Sequence, residues 1–400
     1  MVALSSGHLA ADFASGSVPA LIPFLTTRFH LGYALAAVLL LAATVSSSLV
    51  QPLFGLMSDR RGALWLIPGG VGLAAVGIGG AAVSPVYPVV VLLVLVGGIG
   101  VAAFHPEGAK FAALASGRRR ASGMSYFNIG GNAGYAFGAF ATGQLVVWLG
   151  LAGTLLAMIP VAAVALVLVR LMPMLSGLRP VGARETVAGE DHRRAMAALS
   201  GVIALRSVAW FTLLAFVPLW SVSLGHSKAA GNRLLFLMLL AGAVGTLLLG
   251  PVADRVGLRK TLAVTQAAVG PLVLAFVYAG GLPGTIALML VGVCVVGTFG
   301  VTMVLSQLYL PRHIGMASGL SVGLAMGVGG IAAVVLGAVA DVVDLRLALT
   351  ISAVAPAIGV VFCLRLPAPA PRVGHAEIPR FHVASTSDAA VSGTSGRSAG

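Results

Sequence analysis

Long apolar runs separated by short polar breaks fill almost the whole chain, and within each run hydrophobic and polar positions do not alternate. The runs fall at 4–27, 33–57, 64–83, 86–112, 121–148 and 150–172, then at 197–224, 232–253, 260–279, 283–309, 314–340 and 346–366. Each is close to the ~20 residues that carry a helix across the hydrocarbon core of a bilayer. Only helices and closed barrels satisfy every backbone polar group in lipid. Continuous apolarity without a two-residue period selects helices. The pattern therefore predicts an all-α integral membrane protein of twelve transmembrane helices, arranged as six spans, a polar interval and six more. The N-terminal bundle occupies 1–172, a linker 173–196 and the C-terminal bundle 197–366. The linker gathers Arg179, Arg184, Glu185, Glu190, Asp191, His192, Arg193 and Arg194. A tail, 367–400, opens Pro-Ala-Pro-Ala-Pro and closes in Ser, Gly and Ala; it cannot bury a core and is expected to be disordered.

Composition agrees with this pattern: 58% of residues are hydrophobic and 9% charged, where a soluble domain is about half apolar and about a quarter charged. Cys294 and Cys363 both lie inside apolar runs, which excludes a disulfide-stapled secreted fold. The net charge of +13 does not point to nucleic acid, because the basic residues avoid the spans and collect in alternate loops. With the N-terminus inside, nineteen Lys and Arg residues fall on the inner side and four on the outer, leaving Arg206 within a span. That asymmetry predicts a multi-pass plasma-membrane protein with both termini cytoplasmic. No signal peptide with a cleavage site precedes the first span, so that span is expected to be retained.

The two halves repeat. Gly55-Leu-Met-Ser-Asp59-Arg60 after the second span matches Gly250-Pro-Val-Ala-Asp254-Arg255 after the eighth. Ala121-Ser122-Gly123 opening the fifth span matches Ala317-Ser318-Gly319 opening the eleventh at nearly the same offset. A duplicated six-helix unit is the parallel repeat from which pseudo-symmetric two-bundle transporters are built.

Charge inside a span is expensive, about 2.5–3.5 kcal/mol at the centre on insertion scales, so such residues pair, neutralise or face a cavity. Asp12 and Glu107 are the acids that fall well within apolar runs. His8 lies four residues before Asp12, on the same helix face. His105 and Glu107 are two apart, about 200° round a regular helix, and share a cavity only if Pro106 bends the chain. Otherwise Glu107 is placed to pair with Lys110. Counting 1.5 Å per residue from the inner ends puts Asp12 and Arg206 at similar depth, roughly 12–13 Å in, with Asn132 at roughly 16 Å. Three readings of Arg206 remain open: a pair with Asp12 in one state, a contact for an anionic substrate, or snorkelling to the interface. Asp12 is read either as a helix-packing group or as the proton carrier. The every-fourth series Gly315, Gly319, Gly323, Gly327 and Gly130, Gly134, Gly138 suggest close helix packing in spans eleven and five.

Gly-x-x-x-Asp-Arg between the second and third spans resembles the signature of the major facilitator superfamily. The second copy, with Gly250, Asp254, Arg255, Gly257, Arg259 and Lys260, is nearly complete. The first departs after Asp59, Arg60, Arg61 and Gly62, where Ala63 and Leu64 replace basic residues. His8-Leu-Ala-Ala-Asp12, Phe104-His105-Pro106-Glu107 and Asn128-Ile-Gly-Gly-Asn132 together resemble the fosmidomycin-resistance efflux transporters. The resemblance implies proton-driven antiport of a fosmidomycin-like small molecule, a monomer, and no cofactor. Within that reading the residues themselves suggest proton-coupling roles for Asp12, Glu107, His105 and His8, and substrate contacts for Arg206, Asn128 and Asn132. Gating falls to Gly55, Asp59, Arg60, Gly250, Asp254, Arg255 and Arg259, as charge latches at inner helix ends. Uptake of a small organic anion by proton symport is the alternative within transporters. A primary pump lacks its Gly-x-x-x-x-Gly-Lys-Ser/Thr phosphate loop, and an embedded metalloenzyme its His-Glu-x-x-His pair. No enzymatic activity, metal or nucleic-acid partner is expected.

Overall fold

In the structure, a computed structural model that describes residues 1–61, 63–116, 120–177 and 190–367, the first half forms seven helices. They are α1 (Val2–Phe29), α2 (Tyr33–Leu49), α3 (Gln51–Arg61), α4 (Leu66–Val83), α5 (Tyr87–Ala115), α6 (Arg120–Leu149) and α7 (Gly153–Ser176). The second half forms α8 (Arg193–Ser223), α9 (Lys228–Val256), α10 (Leu258–Ala279), α11 (Gly281–Val296), α12 (Phe299–Tyr309), α13 (Ile314–Val342) and α14 (Leu345–Leu364). No strand occurs among the described residues. The side chains of 58–61, 120–122, 125, 314, 315 and 318 are not described, and the called tail and the middle of the linker lie outside the described residues.

Twelve segments of membrane length result, because two spans are each made of two helices. The apolar stretch Tyr126–Ser176 is 51 residues long, more than twice what a bilayer needs. Gly150 divides it by adopting a φ of 67°, a left-handed conformation that costs glycine little. The chain then doubles back, and a side chain at Gly153 would strike the Leu145 carbonyl. α6 and α7 are therefore separate spans.

Spans two and ten, expected as unbroken helices, are each interrupted. Pro52 has no N–H and its ring crowds the carbonyl four residues back, so the helix restarts after Val50. Thr44 and Ser46 weaken the preceding turns further by bonding carbonyls on their own helix. Span ten breaks at Gly297-Thr298, where the Thr298 hydroxyl takes the Cys294 carbonyl at 2.6 Å. The linker is shorter than expected at both ends, since α7 runs through Ser176 and α8 begins at Arg193.

The outer surface is apolar, as lipid requires: Leu92, Leu166, Val264 and Val335 are all more than half exposed. Inside, the closest pairing is α1 against α6. Gly130, Gly134 and Gly138 seat directly on the carbonyls of Ser5, Leu9 and Phe13, where no β-carbon fits. Small residues at every fourth position allow this approach, and Ser17 bonds Thr142 across it at 2.8 Å. That contact fixes the rotation of α1 and so the direction in which its polar residues point.

The two bundles meet along α2–α13 and α6–α9, and they close from one end only. At the α1–α2 turn, Asp341 of α13 accepts from the backbone N–H groups of Tyr33 (2.5 Å) and Ala34 (3.0 Å). Further along, Gly337 lies on Ala34 and Gly330 on Leu41 and Thr44, and Ser48 donates to Met326 Sδ at 2.6 Å. On the other seam Asn232 donates to the Ala20 carbonyl at 3.1 Å, and Phe236 meets Phe137 and Phe140. Beyond these contacts the bundles diverge. Gly250, Gly319, Gly323 and Gly327 have nothing within 4 Å of a built β-carbon, and Leu53, Leu56 and Met316 are about half exposed or more. Gly319, Gly323 and Gly327 of the eleventh span thus border open space at the end that carries Arg255, Arg259 and Arg312, rather than packing as expected.

Candidate functional site

Asp12 is the centre of the site. It sits on α1 over Gly131 of α6, where a β-carbon would lie 2.7 Å from Asp12 Oδ2 and closer still to His8 Nε2. Its Oδ2 faces His8 Nε2 at 3.3 Å, and its Oδ1 faces His105 Nε2 at 3.4 Å. His8 is 9% exposed at its side chain, Asp12 19% and His105 25%, so the cluster is enclosed but not sealed. The two imidazoles meet edge-on with centroids 5.0 Å apart, and His8 stacks on Phe127 at 4.1 Å.

The far nitrogen of each imidazole is also held. His8 Nδ1 is 2.8 Å from the Phe127 carbonyl, and His105 Nδ1 is 2.8 Å from the Val101 carbonyl. A carbonyl can only accept, so each Nδ1 carries the hydrogen. In the neutral rings both Nε2 atoms then present lone pairs to the carboxylate. Two lone pairs facing an ionised carboxylate repel; a proton in either gap turns that contact into a charge-assisted hydrogen bond. The cluster is thus an assembly of acceptors that gains stability from added positive charge. His8, Asp12 and His105 are also the one group among the described residues whose ligand atoms, within 4.8 Å of one another, are spaced for a metal ion.

Glu107 does not join them. It is 1% exposed and faces Lys110 at 3.6 Å, on the far side of α5 from His105. Pro106 leaves α5 continuous, and the 200° separation keeps the two apart. Asn132 reaches across to Thr246 of α9 at 3.5 Å, and Asn128, one turn away, is exposed at the diverging end.

Arg206 does not pair with Asp12 in this state. Its guanidinium is buried, donates to Thr298 Oγ1 at 2.6 Å and faces the thiols of Cys294 and Cys363. No carboxylate pairs with it among the described residues. The repeat accounts for its placement here: the position equivalent to Asp12 is Ser207, so Arg206 is rotated by one residue, into the second bundle.

Of the gating residues, Asp59 and Arg60 have side chains outside the described set. A β-carbon added at Gly55 would lie 3.8 Å from Pro106, and Gly250 borders open space. Asp254 and Arg255 are exposed and form no ion pair among the described residues. Gly257 turns α9 into α10 with a φ of 105°, which explains the glycine of that motif. Arg259 donates to the Leu364 carbonyl at 2.9 Å. Nearby, Asp191 takes the Arg312 N–H at 3.2 Å and His313 Nδ1 at 2.6 Å. Desolvation works to raise its pKa, but these donors outweigh it and hold the carboxyl below the usual range.

Sequence reasoning missed Asp341, Thr298, Phe127 and Gly131. Asp341 could have been suspected as an acid at the end of the eleventh span facing a helix start, Gly32-Tyr33, with no capping side chain of its own.

The model of the Major Facilitator Superfamily matches residues 4–334 and 199–392. The uncharacterized MFS-type transporter YfnC of Bacillus subtilis (strain 168) is 30% identical over 349 residues, 84% of this chain and 85% of that one. The fosmidomycin resistance protein of Escherichia coli (strain K12) is 28% identical over 362 residues, 87% and 88% of the two chains. Among solved structures, a bacterial homologue of the human lysosomal transporter Spinster, inward-facing and occupied, superposes with a TM-score of 0.77 at 14% identity, covering 91% of this chain and 95% of that one. The nucleoside transporter NupG gives 0.72 at 14% identity, over 91% and 99%.

Proposed function

We propose that this chain, which belongs to the Major Facilitator Superfamily, expels a small organic molecule across the plasma membrane in exchange for protons. Membership makes it a secondary transporter of multi-pass helical build. The observation that carries the finer reading is the enclosed carboxylate of Asp12, bracketed by two imidazoles whose near nitrogens both lack a hydrogen when neutral. The relative named for fosmidomycin resistance supports efflux of a fosmidomycin-like antibiotic.

With the basic loops in the cytoplasm and both termini inside, the closed end is the outer gate and this state faces inward. Protons arrive at Asp12, His8 and His105 when the outer side is open and leave when the inner side opens. Asn128 and Asn132 meet the cargo as it enters from the diverging end, and Arg206 supplies the positive charge an anionic cargo needs. Glu107, locked to Lys110, steadies α5 beside the coupling site. Gly55, Asp59 and Arg60, with Gly250, Asp254, Arg255 and Arg259, form the inner latches, which close when the outer gate opens. A single chain suffices for this cycle.

Reconstituted, metal-free proteoliposomes with an imposed pH gradient test the reading. Efflux in exchange for protons predicts that cargo moves against the proton gradient and collapses when an ionophore removes it. Movement in the same direction as the protons would replace exchange with symport.

A further inference from the structure

His8, Asp12 and His105 are also arranged as a ligand set. We propose that they form a binding site for one divalent transition-metal ion of the zinc class. The inference concerns the same side chains as the coupling site but does not depend on protons moving through them.

Four features support it. The lone pairs of His8 Nε2 and His105 Nε2 both point at Asp12, 3.3 and 3.4 Å from its two oxygens. In a tetrahedral site with metal–ligand bonds of about 2.0–2.1 Å, neighbouring ligand atoms lie about 3.3 Å apart. The three ligand atoms all lie within 4.8 Å of one another, so a modest inward rotation of the edge-on imidazoles completes the triangle. Each imidazole is oriented through the nitrogen it does not offer, by the Phe127 and Val101 carbonyls, as is usual for metal-binding histidines. Finally, the missing β-carbon of Gly131 lets His8 Nε2 and Asp12 Oδ2 come together against α6, where any other residue would push them away.

The donor set chooses the ion. Two imidazole nitrogens and one carboxylate suit zinc, cobalt, nickel or copper(II), whereas calcium and magnesium demand oxygen shells. No thiolate is present to favour copper(I). One carboxylate and two neutral imidazoles leave a bound dication with a net charge of +1, and its fourth position falls to water entering through the exposed edges of Asp12 and His105.

The test uses the untagged full-length protein, stripped with a chelator and titrated with Zn²⁺ and with Co²⁺ in detergent. One ion per chain is expected, with the visible spectrum of four-coordinate Co²⁺. His8→Gln, Asp12→Asn and His105→Gln should each weaken binding at least tenfold, while His313→Gln, at the separate Asp191 pair, should not. Zn²⁺ should raise the melting temperature of the wild type and lose that effect in the three variants. Should a variant fail to fold, pulsed electron paramagnetic resonance of the Cu²⁺-loaded wild type decides alone: two coupled imidazoles support the site, and none or one overturns it. Absence of stoichiometric binding, a six-coordinate cobalt spectrum, or equal affinity in all three variants would also overturn it. Proton-driven transport in chelator-treated vesicles, by contrast, speaks only to the exchange reading.

Discussion

Asp341 is the residue through which the outer gate can be weighed. Its carboxylate belongs to α13 but caps α2, accepting from the N–H groups of Tyr33 and Ala34. Gly32, which occupies the capping position of α2, has no side chain to offer. Replacing Asp341 by alanine removes both hydrogen bonds and a negative charge at a helix N-terminus. A lost capping side chain costs about 1 kcal/mol, and the charge adds about 0.3–1 kcal/mol. Because the site is exposed, the lower end of the charge range applies, giving a total of about 1.3 kcal/mol, or nearly tenfold in an equilibrium constant. The contact exists only while this end is closed, so its loss shifts the population rather than destabilising both states. Spin labels at Leu56 and Met316, both exposed at the diverging end, would report the ratio of open to closed distances. Asp341→Ala should lower the open fraction's equilibrium constant about tenfold, and Asp341→Asn, which keeps one good acceptor, should lower it less. A distance distribution unchanged in the alanine variant, with the protein folded, would refute the latch.

Gly131→Ala should express and fold yet lose gradient-driven transport, because its methyl group displaces His8 and Asp12; normal coupling in that variant would contradict the geometry of the cluster. Arg206→Ala should abolish transport of an anionic cargo and Arg206→Lys restore it in part, since lysine lacks the forked donors; unchanged cargo affinity in the alanine variant would remove Arg206 from the site. Cysteine reporters at Gly117 and Glu185 should label from the inner side alone, and labelling from outside in intact cells would invert the topology.

The architecture was legible because lipid leaves the chain few options: long apolar runs must be helices, and the repeated Gly-x-x-x-Asp-Arg motif divides them into halves. Asp12 and His8 were legible too, since a four-residue spacing puts them on one face wherever the helix goes. His105 was not separable from Glu107 by spacing; what selects it is the rotation of α5 against α1, a tertiary fact. The suggested Asp12–Arg206 pair is absent from this state for a related reason. Depth along the membrane can be counted from sequence, but a one-residue rotation turns a side chain by about 100° and sends Arg206 to Thr298. Close packing held for Gly130, Gly134 and Gly138 of span five but not for Gly319, Gly323 and Gly327 of span eleven, because the same spacing serves a sealed helix pair in one bundle and the wall of an open cleft in the other. Pro52 was a readable signal for the break in span two.

Central to the account is a cycle in which cargo movement is tied to the protonation of one carboxylate, and Asp12→Asn isolates it, keeping size and hydrogen bonding while removing titration. The decisive measurement compares, in the same proteoliposomes, exchange of cargo at equal pH with net transport driven by a pH gradient. The account predicts that Asp12→Asn still exchanges cargo but no longer responds to the gradient. Gradient-driven transport at the wild-type rate in that variant would contradict it and move the coupling to Glu107.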